Sequence, residues 1–448
     1  MESEVLVKNR KINKDRKIFF IGMALLFAVI FAINFFDLPI PVFTILIIYL
    51  ALALLGDKDE IFALFISCIP LSVAFQYKYV LLICMAIYFV KYHKEVRISS
   101  AVIPLLLIMV WELLHAFKFS FSVYSYLRNF SELILCVFLS CLMIKKVDYA
   151  FICRIFSICS IFIMSLVLLL ALKQNDYVFA KIFVGSYRFG MADEKNLKTF
   201  SIVFNPNLLG FICNLAMIGE MQLIISGKRN VVDYVFLLIL FVFGVMTMSR
   251  TFILCFVIIA LLFALSGEGR ITKIKRIGVI VAVLSVLCLV VYLVIPTVVK
   301  SFISRFTEAD VSNGRIGLYM FYNNHLLSKA EHLLFGIGLQ DFTNKINTIH
   351  GITVANVCHN GIQEILVVWG IPGLVLTCWL IFDLITLAKN GQKLKLINYM
   401  PLILIFIDVQ FGQFATSGIS LLSLSLGYLS LRANFAKKHK GGNDEQNN

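Results

Sequence analysis

The stretch Ile277–Val299 reads IGVIVAVLSVLCLVVYLVIPTVV and contains no charged residue. A helix needs roughly 20 apolar residues to cross the hydrocarbon core of a bilayer. The stretch Ile18–Phe36, IFFIGMALLFAVIFAINFF, is also uncharged and is close to this length. Runs of this kind predict helices that span a membrane.

The composition extends this prediction to the whole chain. Of the 448 residues, 60% are apolar and 15% are charged, and the mean hydropathy is +0.91. Soluble globular proteins have about 45–50% apolar and about 25% charged residues. A soluble domain, a disordered chain and a nucleic-acid-binding module are therefore excluded. The strands of an outer-membrane barrel alternate in polarity over about 10 residues, whereas the apolar runs here are unbroken.

We therefore predict an all-α polytopic membrane protein in which residues 1–448 form a single integral membrane domain. The number of transmembrane helices is expected to be 12–14, because the third, the fourth and the last two segments are short. The predicted spans are 18–36, 38–55, 61–76, 77–90, 100–117, 125–144, 150–172, 201–225, 231–248, 251–266, 277–299, 360–388, 397–410 and 414–431.

The basic residues predict the orientation of these spans. The net charge of +14 would suit a nucleic-acid binder, but 26 of the 40 Lys and Arg residues lie at one set of span ends. Cytoplasmic segments carry such an excess. Both termini are therefore predicted to be cytoplasmic, with an uncleaved first helix and a polar tail over 437–448.

Two long loops fall on the predicted outer side, at 173–200 and 300–359. Loops longer than about 15 residues usually have a function. The second loop contains an apolar pattern, which predicts one or two amphipathic helices on the outer surface; its residues are Ile316, Leu318, Tyr319, Phe321, Tyr322, Leu326 and Leu327.

No metal or cofactor site is predicted. Most of the 11 cysteines lie inside apolar runs, and no CxxC or Cys/His spacing suggests a metal site. In the second loop, Glu308 and Asp310 come closest to a DxD-like carboxylate pair, and we interpret them as solvated loop residues.

Three basic residues lie on or near the predicted outer face: Arg250, Arg315 and His359. A single arginine at a membrane boundary often only extends its charge to the headgroups. Two arginines on the same face as a histidine suggest a phosphate-binding site, because guanidinium groups bind phosphates bidentately. Neutral histidine, with an ordinary pKa of about 6.5, is suited to removing a proton from a sugar hydroxyl. We expect Arg250 and Arg315 to lower the pKa of His359.

Further residues near this trio are expected to support it. Gly336 and Gly338 permit close approach of the backbone to a ligand. Asn360 follows His359, and Glu364 lies one helical turn beyond it, where its carboxylate would orient the imidazole. Gly370-Ile-Pro-Gly373 predicts a kink.

Other polar residues are weaker candidates. Arg188 and Arg305 in the outer loops are considered for holding phosphate, although solvated loop charges are the preferred explanation for them. Within predicted spans, Glu112 and His115 are expected to pair with each other, and Asp408 and Glu220 are ionisable groups that suggest function by default. Asn205-Pro-Asn207 is expected to break its helix.

As a set, these motifs resemble the signature of O-antigen ligases and Wzy-type polysaccharide polymerases. The resemblance is strongest over residues 200–385 and rests on Asn205-Pro-Asn207, Ser249-Arg250, Gly314-Arg315, Phe335-Gly-Ile-Gly338, Phe342, His359-Asn360, Glu364 and Gly370-Ile-Pro-Gly373.

The resemblance implies a GT-C-type, metal-independent glycosyltransferase of the bacterial cytoplasmic membrane. Its donor would be an undecaprenyl-diphosphate-linked glycan at the outer face, with Arg250 and Arg315 as the diphosphate clamp and His359 as the general base. Polymerisation of capsular or O-antigen repeat units is the first prediction, and ligation of a finished glycan to a lipid or wall acceptor is the alternative. A chain-length regulator and a flippase are considered as partners.

A lipid-oligosaccharide flippase is the rival from another class. A transporter of this kind favours charged residues that line a central path from both halves of the protein. The informative residues here cluster on one face instead, which favours catalysis.

Overall fold

The computed structural model describes residues 2–41, 43–74, 78–95, 100–118, 147–183, 189, 205–227, 230–266, 269–294, 296–307, 314–339, 342–352, 357–389, 395–412 and 418–433. Over these ranges the chain forms helices and no strand. The prediction of an all-α polytopic membrane protein is confirmed.

The helices that correspond to predicted spans before the second long loop are α1 to α10. Their bounds are Glu2–Phe35, Phe43–Leu55, Lys58–Leu71, Lys78–Tyr92, Val102–Lys118, Tyr149–Gln174, Pro206–Ser226, Val231–Met246, Arg250–Leu265 and Arg270–Val294. The predicted span 125–144 lies outside the described residues.

The second long loop contains four helices, α11 to α14, at Pro296–Thr307, Arg315–Ser328, Ala330–Phe335 and Phe342–His350. The prediction of one or two helices was therefore too low. The predicted span 277–299 also ends earlier, at Val294, because Pro296 begins the new helix α11. Proline is favoured at the first position of a helix and cannot continue one.

Three helices follow the loop: α15 at Gly361–Lys389, α16 at Met400–Val409 and α17 at Gly418–Arg432. Among the described residues, four helices are long and apolar enough to cross a membrane, and six shorter apolar helices accompany them. The total of 12–14 crossings remains a prediction.

Helix α7 lies near the centre of the bundle. Within its most apolar window 83% of the residues are buried, against 33% in α1. The outer helices therefore present their apolar side chains to lipid, whereas α7 contacts other helices on all sides.

One end of the bundle is joined by a buried polar network around Gln222 of α7. Its side-chain oxygen accepts a hydrogen bond from Tyr149 at the start of α6, and its amide donates to Ser430 at the end of α17 and to the carbonyl of Ile397 before α16. Arg16 of α1 also contacts Asp148, which caps α6. Arg16, which precedes the apolar part of α1, and the end of α17 thus lie at the same end of the bundle, as the charge pattern predicts.

The opposite end of the bundle gathers the starts of α7, α9 and α15. Asn205 caps α7, so Asn205-Pro-Asn207 begins a helix, and the residues before it, 201–204, lie outside the described ranges. The Asn207 side chain accepts a 2.9 Å hydrogen bond from Ser249, which caps α9.

Helix α15 is kinked at Gly370, whose φ of 67° and ψ of −163° are not helical. The kink predicted for Gly370-Ile-Pro-Gly373 is therefore present. Such a break frees backbone carbonyls, because Pro372 has no N–H to donate to Val368.

Residues of the second loop and of α5 donate hydrogen bonds to the carbonyls at this kink. Ile337 N–H donates to Val367 at 3.0 Å, and Gly338 N–H donates to Val368 at 2.7 Å. The Trp111 indole of α5 donates to the carbonyl of Trp369 at 2.9 Å. The loop is therefore bound to the kink by main-chain hydrogen bonds.

Helix α5 holds the same loop segment from the other side. The carboxylate of Glu112 accepts hydrogen bonds from Leu339 N–H at 2.9 Å and from the Trp369 indole at 3.0 Å. The His115 ring nitrogens contact the carbonyls of Trp111 and Phe335. Both ring nitrogens are thus used, so the predicted pairing of Glu112 with His115 is wrong.

Replacement of Gly336 should test this contact between loop and kink. Gly336 has φ +73°, and a Cβ there would lie 2.5 Å from the carbonyl oxygen of Val368. We expect Gly336→Ala to lower the free energy of unfolding by at least about 2 kcal/mol, since left-handed strain adds to a backbone clash. Thermal unfolding of the detergent-solubilised protein measures the loss.

Gly351→Ala is the matched control. Gly351 also has a positive φ, +64°, but a Cβ there meets no heavy atom within 4 Å. The Gly351→Ala substitution should lower the free energy of unfolding only by the strain of a left-handed residue, about 1–2 kcal/mol. Equal losses in the two variants would contradict the close contact.

Candidate functional site

His359 lies directly before α15, in a conformation that is uncommon for a residue with a side chain. Its φ is +51°, in the left-handed region. The preceding residue, Cys358, is buried, whereas His359 is half-buried. The side chain of Asn360 accepts a 3.0 Å hydrogen bond from the N–H of Gln363 in the first turn of the helix. His359 is thus held between a buried residue and a helix cap.

Helix α12 places a row of polar residues against His359. Arg315, Tyr319 and Asn323 are spaced four residues apart and so lie along one face. The Tyr319 hydroxyl donates to the main-chain carbonyl of His359 at 3.1 Å. The Gln363 amide donates to the carbonyl of Tyr319 at 2.9 Å and to the Asn323 side chain at 2.8 Å.

The pKa of His359 is lowered from its ordinary value, chiefly by burial and secondarily by the positive charge of Arg315. Both causes disfavour the imidazolium form, so the ring is neutral near pH 7. The sequence predicted the direction correctly. However, it attributed the shift to Arg250 and Arg315, whereas burial is the larger cause and only Arg315 of the two contributes.

The end of α16 contributes to the same region. The carbonyl of Gln410 lies 3.5 Å from both the Tyr319 hydroxyl and the Asn360 side-chain nitrogen, at the limit of a hydrogen bond. Asp408, half-buried near the end of α16, lies within electrostatic range of Arg315. Arg315 therefore lies within electrostatic range of both His359 and a carboxyl group of α16.

Arg250 begins α9 at this end of the bundle and is half-buried. Helix α9 packs against α16, and Cys255 lies within electrostatic range of Asp408. Arg250 is five residues before Cys255, about 7.5 Å along the helix axis. The structure thus brings Arg315 next to His359 and places Arg250 on the neighbouring helix at the same end.

Glu364 is fully buried, and its carboxylate lies within electrostatic range of Cys358 and Tyr322. The prediction that it orients His359 remains a prediction. Gly336 and Gly338 make their close approaches to Val368 and to His115 respectively. Contacts within the chain therefore account for both glycines, and a ligand-facing role for them also remains a prediction.

The remaining candidates do not join this group. Arg188, Glu308 and Asp310 lie outside the described residues, as does the side chain of Arg305 in α11. Glu220 is buried in α7 and accepts a hydrogen bond from Ser157. Within the described ranges no group of three or more His, Cys, Asp or Glu residues is placed to hold a metal ion.

Sequence reasoning missed the contribution of Tyr319, Gln363 and Gln410. Tyr319 was noted only as part of an apolar pattern, although its hydroxyl contacts the catalytic candidate. The spacing of Arg315 and Tyr319 on one helix face was the signal that could have found it.

Three histidines hold the loop helices together behind this site. His325 of α12 is fully buried, and its Nδ1 lies 2.9 Å from Nε2 of His350 in α14. Its ring stacks on that of His332 in α13, with centroids 4.3 Å apart. Nε2 of His325 has no hydrogen-bond partner among the described residues. A proton added to this nitrogen would therefore have no hydrogen-bond acceptor among those residues.

This cluster predicts that the loop is less stable in acid. Burial, and then His332 and His350, lower the pKa of His325 to about 4. The neutral His325 ring contributes its full stabilisation of the folded state above the ordinary pKa of about 6.5. This contribution, on the order of 3 kcal/mol, is lost as the pH falls towards 4. Hydrogen exchange of α12 to α14, corrected for intrinsic rates, should show protection falling between pH 7 and pH 5. Protection that is unchanged over this range would contradict the prediction.

Comparison with known proteins agrees with the motifs. Residues 235–378, about a third of the chain, match the family model Wzy_C, described as O-antigen ligase. The matched segment includes Arg250, Arg315 and His359. No curated protein matches the chain. No solved structure matches it either. Over residues 235–378 the chain is therefore similar to the O-antigen ligase family of membrane proteins, the resemblance that its motifs predicted.

Proposed function

We propose that this protein is a polymerase that joins undecaprenyl-diphosphate-linked oligosaccharide repeat units into a capsular or O-antigen polysaccharide. Its family implies a membrane glycosyltransferase-like enzyme that acts on lipid-linked glycans. The observation that carries the proposal is the pairing of His359, half-buried and with a lowered pKa, with Arg315 at one end of the helix bundle.

In the proposed reaction, Arg315 and Arg250 bind the diphosphate of the donor. Guanidinium groups suit this task because they bind phosphate oxygens bidentately and keep their charge at all relevant pH values. Their charge also stabilises the diphosphate as it leaves.

His359 removes the proton from the acceptor hydroxyl. The resulting oxygen nucleophile attacks the anomeric carbon of the donor, and the bond from that carbon to the diphosphate breaks. One displacement of this kind inverts the anomeric configuration. A lowered pKa supports the role, because the base must be neutral before it accepts a proton.

The ligase reaction fits the same residues, and the family description supports it specifically. A ligase uses the same donor and differs only in transferring the glycan to a finished lipid or wall acceptor. Supplying purified protein with lipid-linked repeat units alone separates the two, since only a polymerase then makes longer chains.

We place the enzyme in the bacterial cytoplasmic membrane, with the site at the outer face and both termini in the cytoplasm. The excess of basic residues at the other end of the bundle supports this orientation. A flippase would then supply the donor at the outer face, and a chain-length regulator is a second proposed partner. The reaction as proposed needs no metal, so elongation should continue in excess chelator.

The sharpest test of the proposal is His359→Gln. Glutamine keeps a hydrogen-bonding side chain but cannot act as the base, so elongation should fall about 10²–10⁴-fold. The products are measured by electrophoresis after incubation of the purified protein with lipid-linked repeats. The matched control is His93→Gln, an exposed histidine outside the matched segment, which should keep normal activity. Polymer of normal length and amount from His359→Gln would refute the role of the base.

Arg315→Lys tests the diphosphate clamp. Lysine keeps the charge but lacks the planar fork of donors, so KM for the donor should rise about tenfold or more. Arg276→Lys is the control, because Arg276 is also half-buried but lies on α10 near the opposite end of the bundle. Donor titrations of the three proteins give the comparison. An unchanged KM in Arg315→Lys would leave Arg315 without a part in donor binding.

A further inference from the structure

The backbone of His359 is held in a strained conformation. Its φ of +51° is in the left-handed region, where a residue with a side chain costs about 1–3 kcal/mol and persists only if its surroundings hold it. Such strain is often found where a functional side chain must point in one direction. The question is which contacts hold His359 in place.

The flanking residues hold only the two ends of this turn. On one side, Cys358 is buried beside Tyr322. On the other, Asn360 caps the first turn of α15 through Gln363. Neither contact involves an atom of His359 itself.

One side chain binds His359 directly through its main chain. The Tyr319 hydroxyl donates to the His359 carbonyl at 3.1 Å, from a helix 40 residues earlier in the chain. Tyr319 is itself fixed, because its carbonyl accepts a 2.9 Å hydrogen bond from Gln363. It also lies one turn after Arg315, so the two side chains share one helix face.

We propose that Tyr319 is a positioning residue, whose hydroxyl holds the strained backbone of His359 so that the imidazole stays next to Arg315. The proposal rests on the proposed function, in which His359 is the general base. Tyr319 need not touch the substrate. It acts by setting the direction and the burial of the His359 ring.

The groups that face His359 determine what happens if this contact is lost. Arg315 of α12 lies within electrostatic range of the ring, and Tyr319 of α12 bonds to the main chain. One contact further away, Asp408 near the end of α16 lies within range of Arg315, and Glu364 lies within range of Cys358. Burial is the main cause of the lowered pKa of His359, and Arg315 adds to it. If the backbone relaxes and the ring becomes more exposed, the pKa should rise towards its ordinary value.

Tyr319→Phe tests the proposal because it removes only the hydroxyl. With purified protein and lipid-linked repeats, we expect kcat to fall about three- to tenfold, the range expected for one lost hydrogen bond, while KM stays within about twofold. The acidic limb of the pH–rate profile should move to higher pH. Tyr292→Phe, at an exposed tyrosine of α10, is the control and should match the wild type.

A second measurement does not depend on glycosyl transfer. Carbethoxylation by diethyl pyrocarbonate modifies neutral histidine, and mass spectrometry of the peptide that contains residue 359 gives its rate at each pH. The pKa obtained for His359 should be below about 6.5 in the wild type and higher in Tyr319→Phe.

The two readouts separate failure of this inference from failure of the proposed function. If wild-type protein elongates glycan but Tyr319→Phe has the same kcat and the same His359 pKa, the positioning role is overturned and the function stands. A lower kcat with an unchanged His359 pKa also overturns it, because the effect then does not pass through the imidazole. If the wild type transfers no glycan yet the pKa of His359 still rises in Tyr319→Phe, the function is overturned and the contact to His359 stands.

Discussion

The rest of the site depends on the hydrogen bonds between the second long loop and the kink of α15. Inside a membrane, a break in a helix leaves carbonyls that water cannot satisfy, and each of them costs free energy unless another group bonds to it. The carbonyls of Val367 and Val368 bond to the N–H groups of Ile337 and Gly338. A loop that lies outside the spans is thereby attached to a spanning helix at a defined position.

This attachment explains why the loop helices lie where they do. Gly336 and Gly338 approach the backbone of α15 and the side chain of His115 too closely for a side chain of their own. Glu112 holds the next residue, Leu339, from the side of α5. Once this segment is fixed, α12 lies against the start of α15, and Arg315 reaches His359.

The chemistry of the site follows from the same packing. Burial at the junction of α12, α15 and α16 lowers the pKa of His359, and the guanidinium of Arg315 lowers it further. The same packing thus places the neutral imidazole of His359 beside Arg315, a cation that is suited to binding phosphate. The segment that matches the family, 235–378, contains α12 and the kink but not α5, which supplies Glu112 and Trp111. Part of the support for the site therefore comes from outside that segment.

The sequence by itself determined what depends on local composition. Unbroken apolar runs predict the spanning helices, since the bilayer demands about 20 apolar residues for each crossing. Gly370-Ile-Pro-Gly373 predicts the kink, because glycine and proline act on the backbone where they stand. Counting the spans also predicts one side of the membrane for all three basic residues, Arg250, Arg315 and His359. The spacing of apolar residues was less informative in the second loop, because a helix as short as α13 contains too few residues to show a helical repeat.

Only the tertiary structure decided which residues touch. Glu112 binds Leu339 across 227 positions, and Tyr319 binds His359 across 40. No local pattern predicts such pairs, because they depend on how helices far apart in the chain pack against each other. For the same reason the predicted pairing of Glu112 with His115, one turn apart on a single helix, was wrong. The lowered pKa of His359 is chiefly a result of burial, and burial is a property of the packed molecule rather than of the residues beside His359 in the chain.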